Sequence, residues 1–109
     1  MGTARKTTRS ISDFQKLMAH TYLARDRTRR LDWAFKRLND VMMELRMAIE
    51  RGKKRETSAE SADVFAWLTS VSNLVEIDLE LASYGKYGNG CSKCQQIPCS
   101  CPTKGVDRA

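Results

Sequence analysis

Four cysteines lie close together near the C-terminus in the pattern C-x2-C-x4-C-x-C, and they are the only cysteines among the 109 residues. They are Cys91, Cys94, Cys99 and Cys101. A disulfide stabilises a fold mainly by closing a long loop, and the loops between these cysteines would be short. Four thiolates presented by two turns are a common ligand set for structural Zn²⁺. The spacing therefore predicts a zinc knuckle, with disulfides or an iron–sulfur cluster as the alternatives.

Such a zinc site would be structural. Four protein ligands leave the metal no open position for water or substrate. The knuckle is therefore expected to lock residues 87–102 onto the rest of the protein, and any catalysis is expected elsewhere.

Carboxylates at helical spacing form the second group of candidates. Asp40 and Glu44 are four residues apart, and Glu60 and Asp63 are three apart, so each pair projects from one side of its helix. If the two helices pack antiparallel, the four acids can converge. Mg²⁺ binds through a few carboxylates and is completed by waters and substrate phosphates.

Each acid also has a purely structural interpretation. Glu60 can complete a capping box with Thr57, and Asp63 favours the positive N-terminal end of its helix. Asp40 or Glu44 can instead form ion pairs with neighbouring basic residues, namely Lys36, Arg37 or Arg46.

Apolar residues at helical spacing predict the elements that position these acids. The predicted helices cover about 10–25, 30–51, 58–75 and 79–84. Their start signals are Ser10 or Ser12, Thr57 and Asp78, and their end signals include Gly52 and Gly85. No strand pattern or Gly-rich phosphate loop occurs. The fold class is therefore predicted as all-α: an antiparallel bundle of about four helices, completed by oligomerisation, with a C-terminal zinc-binding knuckle.

Composition sets the remaining expectations. The 19 Lys and Arg against 13 Asp and Glu leave a net charge of +6, which attracts polyanions. The arginines from Arg25 to Arg30 suggest nucleic-acid binding as a third-ranked function, but no recognisable reading element accompanies them, so nucleic acid is not an expected partner. No secretory signal or membrane-spanning stretch is visible, and four thiols kept for metal favour a reducing, cytoplasmic location. Residues 1–9 are expected to be a disordered basic tail, 10–86 the helical domain, 87–102 the knuckle and 103–109 a flexible tail.

Several short motifs follow one another in a fixed order along the chain. They are Phe35-x2-Leu38-x-Asp40-x3-Glu44-Leu45, Glu60-x2-Asp63-Val64-x2-Trp67-Leu68, Asn73, Ile77-Asp78-Leu79-Glu80, Lys86-Tyr87 and the four cysteines. Over about residues 11–102 this order resembles the MazG-like all-α nucleoside triphosphate pyrophosphohydrolases, and most closely the small single-domain branch with a cysteine-rich C-terminal tail.

The resemblance implies an enzyme that uses Mg²⁺ or Mn²⁺ to release pyrophosphate and a nucleoside monophosphate from a nucleoside triphosphate. It implies Glu44, Glu60 and Asp63 as catalytic residues and, together with Asp40, as the Mg²⁺ ligands. Asn73 and Lys86 match positions on the substrate side of the family's site. Family members pair into homodimers or homotetramers, in which helices of two protomers build the active site.

The chain departs from the family pattern in its first acidic motif. Val41 stands where the family has a second Glu, and Met43 stands where a small Gly usually follows. The alternative hypothesis is therefore a catalytically weak or inactive homologue that acts as a nucleotide-binding or partner-binding subunit. In that case Val41→Glu would be expected to restore some activity.

Overall fold

A computed structural model describes residues 9–102, in which the chain forms three helices and no strand. The helices are α1 (Ile11–Glu50), α2 (Lys54–Leu74) and α3 (Leu79–Tyr87). The prediction of an all-α fold is confirmed. The predicted number of about four is not, because the first two predicted helices form the single element α1. The predicted tails at 1–9 and 103–109 lie outside the described residues, except for Arg9.

The boundaries of α1 follow the predicted signals. The Ser10 hydroxyl accepts a hydrogen bond from the Asp13 backbone N–H, and the Asp13 carboxylate accepts one from the Ser10 N–H, both at 3.1 Å. This capping box confirms Ser10 as the start signal. At the other end Gly52 has a φ of +67°, a conformation that glycine adopts without steric cost. Only residues 51–53 connect α1 to α2, so the two helices run antiparallel.

The hydrophobic core lies between the second half of α1 and α2. Its buried members are Ala34, Leu38, Val41 and Val71, and Val64, Trp67 and Leu74 pack against them. In an antiparallel pair, residues equally distant from the turn face each other. The core therefore extends as a narrow apolar seam along the pair, and positions next to the seam on α1 face positions next to it on α2.

Helix α1 is interrupted at Arg30, which has a φ of 74° and a ψ of 160°. This interruption divides α1 into an N-terminal segment, 11–29, and a C-terminal segment, 31–50. The N-terminal segment folds back onto α2, where the rings of Phe14 and Phe65 stack with centroids 5.1 Å apart. The break lies next to the predicted boundary between the first two helices.

A buried amide side chain joins all three helices. Gln15 donates from Nε2 to Oδ1 of Asn73 at 3.0 Å and to the carbonyl oxygen of Ile77 at 2.8 Å. Its Oε1 accepts from the backbone N–H of Leu79 at 2.9 Å. The Glu80 carboxylate also accepts from the backbone N–H of Ser12 at 2.9 Å. These bonds hold the start of α1 against the end of α2 and the start of α3.

The predicted start of α2 is wrong. The helix begins at Lys54, with Lys53 as an N-cap that makes no side-chain hydrogen bond. Thr57 is therefore inside the helix, and the interpretation of Glu60 as its capping partner fails. Glu56 supplies the favourable negative charge in the first turn and accepts a hydrogen bond from Arg51 at 3.1 Å, so the helix extends back across the basic link.

The predicted end of α3 is also wrong, whereas its start is confirmed. The Asp78 carboxylate accepts from the Leu81 N–H at 3.0 Å and caps the helix. Gly85 does not end α3, which continues to Tyr87 because a glycine inside a helix costs only about 1 kcal/mol. Gly88 follows the last turn and donates to the Tyr84 carbonyl at 2.9 Å. None of the helices in residues 9–102 is long and apolar enough to cross a membrane.

We predict that Arg30→Gly stabilises the protein. The backbone of Arg30 lies in a region that only glycine adopts readily, at a cost of about 1–3 kcal/mol for other residues. Relief of this strain exceeds the extra unfolded-state entropy of glycine, so the free energy of unfolding should rise by about 1 kcal/mol and Tm by about 4 °C.

The matched control is Arg27→Gly, at an exposed helical position of the same segment, which should lower the free energy of unfolding by about 1 kcal/mol. Thermal and urea unfolding measure both changes. Equal destabilisation by the two substitutions would contradict a strained break at Arg30.

Candidate functional site

The four cysteines form a compact group that could hold a metal ion. Their Sγ atoms all lie within 4.8 Å of one another, and the Cys91–Cys101 and Cys94–Cys99 separations are 3.7 and 4.0 Å. Zinc–sulfur bonds of about 2.3 Å in a tetrahedron place the sulfurs about 3.8 Å apart. All four are free cysteines, so the disulfide alternative does not hold.

Backbone N–H groups converge on these sulfurs. The N–H groups of Lys93, Ser100 and Cys101 donate to the sulfurs of Cys91, Cys94 and Cys99, each at 3.3 Å. The bond from Ser100 is the main reason that the pKa of Cys94 is lowered to about 6. These backbone N–H groups therefore stabilise the thiolate form of cysteine, which is the form that binds metal.

The pKa values of two further thiols, Cys91 and Cys101, are shifted in opposite directions. Backbone N–H groups, first that of Cys94 and then that of Lys93, lower the pKa of Cys91. Hydrogen bonds with its neighbouring thiols, first Cys99, raise the pKa of Cys101 to about 12. A cation among the sulfurs would favour the thiolate form of all of these cysteines.

A glycine makes the tight path of the knuckle possible. Gly90 has a φ of +106°, and a Cβ at this position would lie 2.6 Å from Cγ1 of Ile97 and 2.8 Å from the Gln96 carbonyl oxygen. The same loop is closed by a hydrogen bond from the Cys91 N–H to the Gln96 carbonyl at 3.2 Å. Any side chain at position 90 would push apart the two segments of the loop that carry the cysteines.

Three of the four predicted acids, Glu44, Glu60 and Asp63, influence one another where α1 packs against α2. Glu60 feels the negative charge of Glu44 across the helix pair and that of Asp63 on its own helix. Burial first, then these two charges, a side-chain hydrogen bond with Glu44 and the charge of Glu56, raise the pKa of Glu60. When both carboxylates are ionised, the buried Oε1 atom of Glu60 has no hydrogen-bond partner. An uncompensated buried oxygen among like charges is costly unless a cation or a proton is supplied.

The fourth predicted acid is engaged elsewhere. Asp40 accepts from Lys36 at 3.1 Å and from Arg37 at 3.0 Å, and the bond from Lys36 is the largest cause of its lowered pKa. The alternative of ion pairing is therefore confirmed for Asp40. In residues 9–102 the carboxylates do not come close enough in any group of three to share an ion as the sulfurs do.

Val41 belongs to the apolar core. It is 2% exposed, among Ala34, Leu38 and Val71. A glutamate there would bury a charge without a partner. The expectation that Val41→Glu restores activity is therefore replaced by the expectation that it destabilises the fold.

The two residues assigned to substrate binding have structural partners. Asn73 exchanges hydrogen bonds with Gln15, and it lines a separate, open cleft of about 280 Å³ near the end of α2. Lys86 is exposed on α3, with its ammonium 5.6 Å from the centre of the Tyr87 ring. Neither residue lines the cavity beside Asp63.

That cavity is the feature that sequence reasoning missed. It measures about 160 Å³, lies between the N-terminal segment of α1 and α2, and is lined by Tyr22, Arg25, Asp63, Ala66, Trp67 and Ser70. Behind it lies Asp26, which is 2% exposed and whose pKa is raised by burial. The only sequence signal was that Asp26 follows Tyr22 by four residues and so shares its side of the helix.

Comparison of the chain with models of protein families and with curated protein sequences finds no match.

We predict that the purified protein carries one metal ion per chain and that Cys94→Ser loses it. Removing one thiolate leaves an incomplete ligand set, so metal content should fall and Tm should decrease. Elemental analysis for zinc and iron, with thermal unfolding, measures both effects. Ser92→Ala lies within the same knuckle but removes no thiolate, and it should keep the ion. Retention of the full metal content by Cys94→Ser would refute the four-sulfur site.

We predict that Glu60→Gln raises the free energy of unfolding at neutral pH in the absence of divalent cations. The folded protein retains the Glu60 proton to higher pH than the unfolded chain does. Wild-type stability therefore falls as pH rises from about 4.3 through the raised pKa. The benefit of glutamine should be small near pH 4 and should grow towards pH 7.

Urea unfolding at several pH values measures this effect. Glu76→Gln, at an exposed position, is the control and should show no such growth. A benefit from Glu60→Gln that does not depend on pH would rule out repulsion at this carboxylate.

Proposed function

We propose that this protein is a nucleoside triphosphate pyrophosphohydrolase that depends on Mg²⁺ or Mn²⁺. The observation that carries the proposal is the buried Oε1 atom of Glu60, which has no hydrogen-bond partner and lies among the charges of Glu44 and Asp63. A divalent cation would satisfy this oxygen and remove the repulsion. The motif order described above supplies the substrate class.

In this proposal Glu44, Glu60 and Asp63 would hold the cation after their side chains move together around it, because without an ion no three carboxylates of residues 9–102 lie close enough to share one. When bound, the cation would neutralise phosphate charge and lower the pKa of a water molecule. The oxygen of a water molecule would attack the α-phosphorus, and the bond from the α-phosphorus to the bridging oxygen would break. Pyrophosphate leaves with the bridging oxygen, and the nucleoside monophosphate gains the oxygen of water. Glu60 is the carboxylate proposed to accept the proton of the water.

The cysteine cluster is assigned a structural role in the same proposal. Cys91, Cys94, Cys99 and Cys101 would hold one Zn²⁺ and fix the loop after α3. The spacing of the sulfurs and the converging N–H groups support this role.

A homodimer or homotetramer is also part of the proposal. Large apolar side chains remain exposed on the C-terminal segment of α1, where Phe35, Met42 and Ile49 recur every seven residues and are 49%, 45% and 57% exposed. Positions seven apart lie on the same side of a helix, so they form a stripe suited to another helix. The stripe supports assembly of the hairpins of two chains.

A catalytically inactive nucleotide-binding homologue is the second candidate. Two observations favour it: Asp40 is occupied by Lys36 and Arg37, and Val41 lies in the core. Only three of the expected carboxylates then remain for a cation. This candidate predicts nucleotide binding without turnover.

We predict that Asp63→Ala abolishes pyrophosphate release. Loss of one cation ligand should reduce turnover by about 100-fold or more, because both phosphate neutralisation and water activation depend on the ion. The assay supplies a panel of canonical and modified nucleoside triphosphates with Mg²⁺ or Mn²⁺ and measures pyrophosphate. Turnover should disappear without the added cation and return when it is restored.

Asp32→Ala is the matched control, since Asp32 is an exposed acid on α1 that is outside the acidic group. It should leave turnover unchanged. Full activity of folded Asp63→Ala would contradict the proposed site. Binding without turnover across the whole panel would instead favour the inactive homologue.

A further inference from the structure

One cavity beside the acidic group combines features that a nucleotide requires. It is bounded by Tyr22 and Arg25 from the N-terminal segment of α1 and by Asp63, Trp67 and Ser70 from α2. The side chain of Asp63 belongs both to this cavity and to the group that interacts with Glu60. A molecule in the cavity would therefore lie next to the proposed cation.

The aromatic wall of the cavity is held by its neighbours. The ring of Trp67 lies edge-on to that of Trp33 at 5.5 Å, and the guanidinium of Arg37 lies 5.8 Å from its centre. Because contacts outside the cavity position the indole, its orientation does not depend on a ligand. A wall of this kind favours stacking of a flat aromatic ring.

The polar groups of the cavity have distinct positions. Ser70, which is 5% exposed, forms a polar floor, and behind it Asp26, which is 2% exposed and does not line the cavity, is hydrogen-bonded to Ser70. Arg25 is exposed, with its guanidinium 5.5 Å from the centre of the Tyr22 ring. The floor can form hydrogen bonds with the edge of a ring, while the guanidinium can bind a phosphate.

The size of the cavity limits its ligand. At about 160 Å³ it is roughly half the lower end of the range of about 300–1,000 Å³ typical of pockets that enclose a whole small molecule. It accommodates one planar ring system and leaves the sugar and phosphates outside. The phosphates would then extend towards Asp63 and Arg25.

We propose that this cavity binds the base of the nucleotide substrate, stacked against Trp67 and Tyr22, and that Arg25 binds its α-phosphate. The inference rests on the proposed function for the identity of the substrate. It adds that the base is recognised within one chain, by residues that lie outside the motifs of the resemblance, apart from Trp67 and Asp63. The break at Arg30 is what brings Tyr22 and Arg25 to α2.

The test measures binding without turnover, by calorimetry in the absence of divalent cations. The probes are a nucleoside, its 5′-monophosphate and inorganic pyrophosphate, each for the four common bases where a base is present. Tyr22→Leu should weaken binding of both nucleoside and monophosphate by about tenfold, because a stacking contact is worth about 1–3 kcal/mol per base. Arg25→Met should weaken the monophosphate only.

Arg27→Met is the matched control, since Arg27 is an exposed arginine of the same segment that does not line the cavity. It should bind all probes as the wild type does. Circular dichroism and thermal unfolding confirm that each variant is folded.

The outcomes separate this inference from the proposed function. Turnover of nucleoside triphosphates with an unchanged KM in both Tyr22→Leu and Arg25→Met would overturn the inference and leave the enzyme intact. Binding of the monophosphate that depends on Tyr22 and Arg25, in a protein that hydrolyses no triphosphate, would support the inference and refute the proposed function. Equal weakening by Arg25→Met and Arg27→Met would indicate general attraction to a basic surface and would also overturn the inference.

Discussion

The short turn between α1 and α2 is the constraint on which the rest of the structure depends. With only residues 51–53 available, the two helices must run antiparallel and in one register. That register buries the small core of Ala34, Leu38, Val41 and Val71. It also brings Glu44 to Glu60, since the two residues are almost equally distant from the turn. Formation of the core and the approach of Glu44 to Glu60 are thus both consequences of the short turn.

The interruption at Arg30 determines where a ligand cavity can form. A continuous α1 would carry its first half away from α2, beyond the end of the core. The break instead lets the N-terminal segment lie on α2, where Gln15 bonds to Asn73 and Phe14 stacks on Phe65. The strained backbone at Arg30 is offset by these contacts. The conformational cost at Arg30 therefore accompanies the formation of the cavity beside Asp63.

The two candidate sites differ in how their polar atoms are satisfied. The cysteine group lies after α3, where converging N–H groups organise four sulfurs that could hold a metal ion. The acids lie on the helix pair, where burial and like charge leave one oxygen of Glu60 without a partner. The first arrangement could be satisfied by a metal ion, and the second is left unsatisfied by the protein alone. Unsatisfied polar groups of this kind are more typical of binding sites than of scaffolds.

Local patterns in the sequence were sufficient for the features that depend on neighbouring residues. Cysteine spacing predicted the sulfur group, apolar periodicity predicted an all-α chain, and Ser10, Gly52 and Asp78 were recognised as end signals because capping involves residues only a few positions apart. The start of α2 and the end of α3 were missed, because the Arg51–Glu56 pair and the tolerance of Gly85 override weak local signals. Only the tertiary structure decided that Asp40 is held by Lys36 and Arg37, that Val41 is core and that Asp26 is buried behind a cavity. Those outcomes depend on which side of each helix meets its neighbour, and that is set by packing across the whole fold.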